Sequence, residues 1–80
     1  MKRQLQNVID LLQQMLEDNP MPKNIRAKID KTIELLQKDE EHKTKISKAM
    51  HELEDISNDT NMQSDTRTQI FNIISVLEVA

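Results

Sequence analysis

Apolar side chains recur at helical spacing along the first part of the chain and predict an amphipathic helix. At about 100° per residue, they fall on one side of a helix. These residues are Leu5, Val8, Ile9, Leu11, Leu12, Met15 and Leu16. Residues 17–22 interrupt the pattern with two prolines, and Pro22 suits the start of a second helix because its missing N–H costs nothing there. The apolar face of that second helix consists of Ile25, Ile29, Ile33 and Leu36.

Two further helices are predicted after a charged connector at residues 39–43. The third carries a narrower apolar stripe made of Ile46, Ala49, Met50, Leu53 and Ile56. After a turn at residues 57–61, the fourth carries Ile70, Ile73, Ile74 and Leu77. Short connections make neighbouring helices antiparallel. The sequence therefore predicts an all-α, up-and-down four-helix bundle as a single domain over residues 1–80, with one helical hairpin at about 3–38 and a second at about 44–79.

An internal repeat relates the two predicted hairpins. Adding 41 to a residue number carries Leu12 to Leu53 and several other core positions to core positions. Two amphipathic helices in phase produce such matches by chance. The same shift also carries turn residues onto identical ones, namely Asp18 to Asp59, Met21 to Met62 and Arg26 to Arg67. We therefore interpret the chain as two hairpins of similar design that close a common core.

The amino-acid composition excludes several kinds of catalytic, metal-binding and phosphate-binding site. The chain of 80 residues has no cysteine and no glycine. Thiolate metal sites and cysteine nucleophiles are therefore excluded, as are the glycine-rich loops that hold phosphates or dinucleotides. The serines show no adjacent base arrangement typical of an activated nucleophile. We therefore expect no catalytic activity and no cofactor. No apolar run approaches the ~18 residues of a spanning helix, so we also expect a cytoplasmic protein that does not enter a membrane.

His51 and Asp55 come nearest to a metal-binding motif. They are four residues apart on the predicted third helix and share a face, which is the geometry that a divalent ion needs from two ligands. The second histidine of the zinc-protease helix motif is absent, because Asp55 stands in its place. We therefore expect solvated side chains here and predict no metal site.

A strip of lysines supports a second functional class. The members of this basic strip lie on the second and third predicted helices and are Lys23, Lys28, Lys31, Lys45 and Lys48. Such a strip is typical of a nucleic-acid- or ribosome-associated accessory protein. The net charge of −3 and the single aromatic residue argue against that function, since they leave little to attract phosphates or to stack on bases.

The Asp–Arg pairs at the two turns, Asp18 with Arg26 and Asp59 with Arg67, recur at equal spacing. One interpretation is a two-fold site for an anionic ligand. The other is structural: each arginine reaches back to its turn aspartate or to the carbonyls at the end of the preceding helix and holds the hairpin together. We favour the structural interpretation.

The last helix has more apolar surface than a bundle requires. Its apolar residues spread over about 220°, whereas a core-facing stripe takes somewhat over 100°. One explanation is that its neighbours enclose the helix, and the other is that part of it contacts a partner. For the second case the candidate interaction face is Phe71, Ile70 and Val76. The favoured function is thus a small, non-catalytic protein-interaction or scaffold module, with a protein partner or self-association through this face.

Two segments resemble a known family. The stretch Leu53–Met62, followed by Arg67 and Ile70–Glu78, is similar to an archaeal group, uncharacterised protein family 147, and so is the first turn, Glu17–Arg26. The similarity covers nearly the whole chain. The family tends to carry proline where this chain has Thr60, which affects the rigidity of the turn, and an aromatic residue at or near Phe71. The resemblance implies a short all-helical bundle from an archaeal cytoplasm, and it implies no activity, cofactor, partner or functional residue.

Overall fold

The computed structural model of the chain describes residues 2–80, with side chains from residue 4 onward. It has four helices: α1 (Lys2–Asp18), α2 (Lys23–Gln37), α3 (His42–Ser57) and α4 (Ser64–Glu78). No strand occurs within residues 2–80. The prediction of an all-α, four-helix fold is confirmed.

Each helix packs against the next one along the chain, and α1 also packs against α4, so the four helices form a closed ring. The contact between α2 and α3 is the most extensive of the four. These two helices are antiparallel, since Lys28 contacts Asp55 while Lys31, one turn later, contacts Glu52, one turn earlier. This arrangement turns one flank of every helix toward a neighbour and leaves its outer surface open to solvent.

The core consists of most of the predicted apolar positions, which meet between the four helices. Its buried residues come from all four helices and from Met62 in the last turn. Among those with almost no exposed surface are Leu12, Ile25, Ile29, Leu53, Ile56, Ile70 and Leu77. Burying each such side chain contributes about 1.5–3 kcal/mol. The buried hydroxyl of Thr32 donates to the Lys28 carbonyl at 2.9 Å, so this polar group enters the core with its hydrogen bond made.

The turn between α1 and α2 depends on Pro22. Its carbonyl accepts hydrogen bonds from the backbone N–H groups of Ile25 and Arg26, each at 3.1 Å. The helix itself begins at Lys23, so the proline stands immediately before the first helical residue. Its fixed φ of −58° directs the chain into the helix, and its lack of an N–H leaves no donor unsatisfied.

Candidate interaction surface

Three large apolar side chains are exposed among the described residues, and all three belong to α1, α4 or the residue after α4. Leu11 is 42% exposed, Phe71 is 51% exposed and Val79 is 76% exposed. The prediction that Ile70 shares a face with Phe71 is wrong, because Ile70 is completely buried in the core. One residue corresponds to about 100° around a helix, which is enough to carry a side chain from the core to solvent. Val76 is half-buried and packs against the edge of the core.

The outer surface of α4 carries no charge over its central turns. We define the α4 surface as the exposed residues of those turns, namely Thr68, Gln69, Phe71, Asn72 and Ser75. Charged side chains stand at the two ends of the helix, at Asp65 and Glu78. A surface of this composition is unusual for a chain in which 31% of the residues are charged.

The two hydroxyl groups of the α4 surface already donate hydrogen bonds within the helix. Thr68 Oγ1 donates to the Ser64 carbonyl at 3.0 Å, and Ser75 Oγ donates to the Phe71 carbonyl at 3.1 Å. A partner that covers these residues therefore leaves no hydroxyl donor unsatisfied, which removes a common cost of burying polar groups.

A surface cleft of about 240 Å³ lies between α1 and α4, beside the α4 surface. Its lining residues are Leu11, Gln14, Met15, Asp18, Asn19, Gln69, Asn72 and Ile73. The amide of Asn19 donates across the cleft to Gln69 Oε1 at 3.2 Å, and also to the Met15 carbonyl at 3.3 Å. The cleft thus has an apolar floor and a rim of carboxamides.

The basic strip is interleaved with carboxylates. Lys28 Nζ lies 2.7 Å from Asp55 Oδ2, and Lys31 Nζ lies 3.5 Å from Glu52 Oε1. The hydrogen bond between Lys28 and Asp55 raises the pKa of Lys28 and lowers the pKa of Asp55 from their ordinary values. Both ion pairs join α2 to α3, so the negative charges of α3 offset the positive charges of α2.

The remaining lysines of the strip are more dispersed. Lys48 Nζ lies 3.1 Å from Glu40 Oε2, Lys45 is half-buried and Lys23 is exposed. The helices that carry the basic strip, α2 and α3, pack against each other. However, three of its five members are paired with carboxylates, so the strip is not a continuous positive surface.

The turn arginines bind backbone carbonyls rather than the turn carboxylates. Arg67 donates from Nε to the Ser57 carbonyl and from Nη2 to the Asp59 carbonyl, each at 2.9 Å. Arg26 donates from Nη1 to the Leu16 carbonyl at 2.9 Å. Within each predicted pair, Asp18 with Arg26 and Asp59 with Arg67, the guanidinium therefore contacts the end of the preceding helix. The carboxylate of Asp59 instead accepts from the backbone N–H of Asn61 at 2.8 Å, which shapes the turn.

The residues considered for metal binding do not converge. The Asp55 carboxylate is engaged by Lys28, and His51 is exposed. Within the described part of the chain, no three histidine or acidic side chains come close enough to hold an ion. His42, the first residue of α3, is half-buried, and its Nε2 atom has no hydrogen-bond partner among the described side chains.

The sequence pattern missed the exposure of Leu11, which it assigned to the core stripe of α1. The stripe spans about 160°, wider than one contact face needs, and that excess width was the available signal. Leu11 stands at the edge of the stripe that faces α4 and lines the cleft between the two helices. Of the helices in residues 2–80, none is both long enough and apolar enough to traverse a bilayer.

Comparison with known proteins places the chain in a family. The profile of an Uncharacterised protein family (UPF0147) matches residues 1–80. UPF0147 protein MJ1419 of Methanocaldococcus jannaschii is 43% identical over 75 residues, which cover 92% of this chain and 81% of that protein. A UPF0147 protein of Archaeoglobus fulgidus is 34% identical over 77 residues, which cover 96% of this chain and 88% of that protein. The crystal structure of the unknown function protein MMP1188 superposes with a TM-score of 0.88 at 38% identity, covering 96% of this chain and 89% of that one. The chain belongs to uncharacterised protein family UPF0147.

Proposed function

We propose that the protein is a small, non-catalytic interaction module of the cytoplasm, which binds a protein partner through the α4 surface. One observation carries this proposal: the exposed large apolar side chains of the described chain lie on α1 and at α4, whereas its three ion pairs involve residues of α2, α3 and their connector. Depletion of charge around an exposed aromatic residue is the compositional mark of an interface centre.

Phe71 is the anchor of the proposed contact. A phenylalanine side chain offers roughly 200 Å², and about half of that area is still exposed here. Burying about 100 Å² of apolar surface contributes roughly 2.5 kcal/mol to binding. The internally bonded hydroxyls of Thr68 and Ser75 lower the cost of covering the residues around it. Aromatic anchors surrounded by uncharged contacts are typical of binding hot spots.

Self-association through the same surface is one form of this proposal. A two-fold contact would place Phe71 against its own copy and would bury the uncharged turns of both α4 helices. Sedimentation velocity between about 5 and 100 µM separates the two forms. Dimerisation that Phe71→Glu abolishes identifies a homo-oligomer, and a monomer throughout excludes self-association over this concentration range.

The alternative is a nucleic-acid- or ribosome-associated accessory protein that uses the basic strip. The observation in its favour is that α2 and α3, which carry the five lysines, pack against each other. The ion pairs of Lys28, Lys31 and Lys48 reduce the positive charge available to phosphates. Phosphate contacts weaken steeply with added salt, whereas apolar contacts barely respond, so salt dependence separates the two functions.

We further propose that the bundle is built on the internal repeat of 41 residues. In both hairpins the turn arginine binds a carbonyl ten positions earlier, Arg26 that of Leu16 and Arg67 that of Ser57. These contacts correspond under the same shift that relates the core positions, and they support the repeat independently of the apolar pattern. The hairpins differ at the interaction surface, since the counterpart of Phe71 under this shift is Asp30.

Affinity capture from a nuclease-treated native extract tests the proposed function. The tagged protein is compared with Phe71→Glu and with a matched control, Thr44→Glu, which adds the same charge to an exposed position on α3. We expect the wild type and the control to retain a partner at both 0.15 and 0.5 M salt, because apolar contacts respond little to salt. We expect Phe71→Glu to lose that partner. Equal retention by Phe71→Glu, or loss of the partner on nuclease treatment, would contradict the proposal.

A further inference from the structure

The groove between α1 and α4 contains the surface cleft beside Leu11. Helical spacing places further residues of α1 and α4 in line with the cleft described above. We define the α1–α4 groove by the residues on its two walls, which are Gln4, Asn7, Leu11, Gln14 and Asp18 on α1 and Asp65, Gln69, Asn72 and Val76 on α4. Most of these side chains are uncharged.

On the opposite side of the bundle, polar side-chain contacts cross the seam between α2 and α3. Lysines of α2 form ion pairs with carboxylates of α3 there, Lys28 with Asp55 and Lys31 with Glu52. At the end of that seam, Asn24 donates to Asp59 Oδ2 at 3.4 Å. These polar contacts bridge the seam from within the protein. Along the α1–α4 groove a cleft remains beside Leu11; the hydrogen bond from Asn19 to Gln69 crosses it, but no ion pair does so among the described side chains.

One end of the groove is negative on both walls. Asp18 lines the cleft, and Asp65 lies one helical turn before Gln69 on the same side of α4. Both aspartates are exposed, and neither pairs with a cation among the described side chains. Residues 4–22 contain no lysine or arginine, and the guanidinium of Arg67 is held by backbone carbonyls. No wall residue of the groove carries a positive charge, although the Arg26 guanidinium lies at the same end of α1, on the Leu16 carbonyl.

The apolar part of the groove lies beside this negative end. Leu11 is partly exposed, Val76 is half-buried at the edge of the core, and Ile73 contributes to the floor of the cleft. Two antiparallel helices with apolar residues along their shared groove accept a third helix, whose apolar face fills the groove. The carboxylates at one end favour a cation on that helix.

We propose that the α1–α4 groove binds a basic amphipathic helix of a partner protein. The apolar face of this helix packs on Leu11 and Val76, and a lysine or arginine near one of its ends lies between Asp18 and Asp65. This inference rests on the proposed function and names the chemistry of the partner. A second copy is a poorer occupant, because its α1 and α4 carry the same carboxylates and its best-placed lysines are ion-paired.

Titration with designed peptides, followed by ¹⁵N–¹H NMR, tests the inference. The probes are two helical peptides of equal length and leucine spacing, one with lysine and one with glutamate at its polar positions. We expect the lysine peptide to shift the backbone signals of Leu11, Asn72 and Val76, and the glutamate peptide to leave them unchanged. Equal shifts with both peptides, or shifts confined to α2 and α3, would overturn the proposal.

Two matched double variants test the role of charge. Asp18→Asn/Asp65→Asn should weaken binding of the lysine peptide by about two- to tenfold, as for two exposed ion pairs. Asp30→Asn/Asp39→Asn removes the same charge from exposed positions outside the groove and should change affinity by less than about twofold. Leu11→Gln should weaken binding by about fivefold through lost apolar contact. An equal loss in the two double variants would refute a specific site.

The outcomes separate this inference from the proposed function. If native partner capture depends on Phe71 while the peptide ignores the groove variants, the groove assignment fails and the interaction module stands. If the groove binds the lysine peptide as expected while capture does not depend on Phe71, the α4 surface fails and the groove stands. Dimerisation of the protein alone that Leu11→Gln abolishes would assign the groove to a second copy and overturn the basic partner.

Discussion

Replacing Arg67 with alanine should destabilise the bundle measurably, although its side chain is only half-buried. The guanidinium binds the Ser57 and Asp59 carbonyls, each at 2.9 Å. Ser57 is the last residue of α3, where carbonyls lack an intrahelical partner and the helix dipole is negative. Arg67→Ala removes a cation from this end and both of its hydrogen bonds, and the Asp59 carbonyl keeps only the longer bond from the Met62 N–H, at 3.4 Å.

The expected loss is about 2 kcal/mol. Hydrogen bonds to charged groups contribute about 1.5–3 kcal/mol when well protected, and half-burial of Arg67 reduces each of the two bonds to about 1 kcal/mol. A domain of this size has roughly 4–12 kcal/mol of stability in total. The midpoint of thermal unfolding should therefore fall by about 8–16 °C.

Circular dichroism at 222 nm during thermal and urea unfolding measures this loss. Arg26→Ala is the matched control, since exposed Arg26 makes one such bond, to the Leu16 carbonyl, and should cost about 0.5–1 kcal/mol. Arg67→Lys keeps the charge without the planar pair of donors and should recover about half of the loss.

The contacts are made to carbonyls rather than to carboxylates, so the loss should persist in 0.5 M salt. A change of less than about 0.5 kcal/mol for Arg67→Ala, or a loss no larger than that of Arg26→Ala, would refute the reasoning.

Three further predictions concern the core, the exposed surface and the ion pair. Leu53→Ala should lower stability by about 3 kcal/mol in urea unfolding, because the side chain is completely buried; a loss below about 1 kcal/mol would contradict close packing there. Phe71→Ser should change stability by less than about 0.5 kcal/mol, whereas Ile70→Ser should cost more than about 3 kcal/mol, and similar losses would contradict the assigned exposures. Lys28 lowers the pKa of Asp55, so the carboxylate stabilises the fold above about pH 4, and this contribution disappears as the pH falls through the lowered pKa. Asp55→Asn should therefore be less stable than wild type at pH 7, and the difference should shrink as the pH falls through the lowered pKa; a difference that stays constant as the solution is acidified would contradict the assignment.

The candidate site was predictable in part. Phe71 was identified because it lies away from the stripe of core residues on α4, and it is exposed. Ile70 was misassigned because a face was drawn from neighbours in sequence, although one step along a helix turns a side chain by about 100°. Leu11 was missed because the edge of a wide stripe is covered or exposed according to how closely the adjacent helix approaches.

The contacts of the turn arginines were also predictable in part from the sequence. Equal spacing of Arg26 and Arg67 from their turns was enough to predict that they hold the hairpins, and both bind carbonyls at the ends of the preceding helices. For the basic strip, the sequence did not reveal which charges the lysines contact. Its lysines share helical faces in the sequence, but their partners on α3 become visible only when the helices pack.

By itself, the sequence determined the four helices, their order and most of the core, because amphipathic periodicity and the turn residues are local properties of the chain. Only the tertiary structure decided which flank of each helix is covered. Packing α2 against α3 pairs opposite charges, whereas packing α1 against α4 leaves a cleft beside Leu11 and an uncharged outer surface around Phe71. The physical reason is that a helix fixes the angles between its own side chains, while the distance and register between two helices depend on the side chains of both.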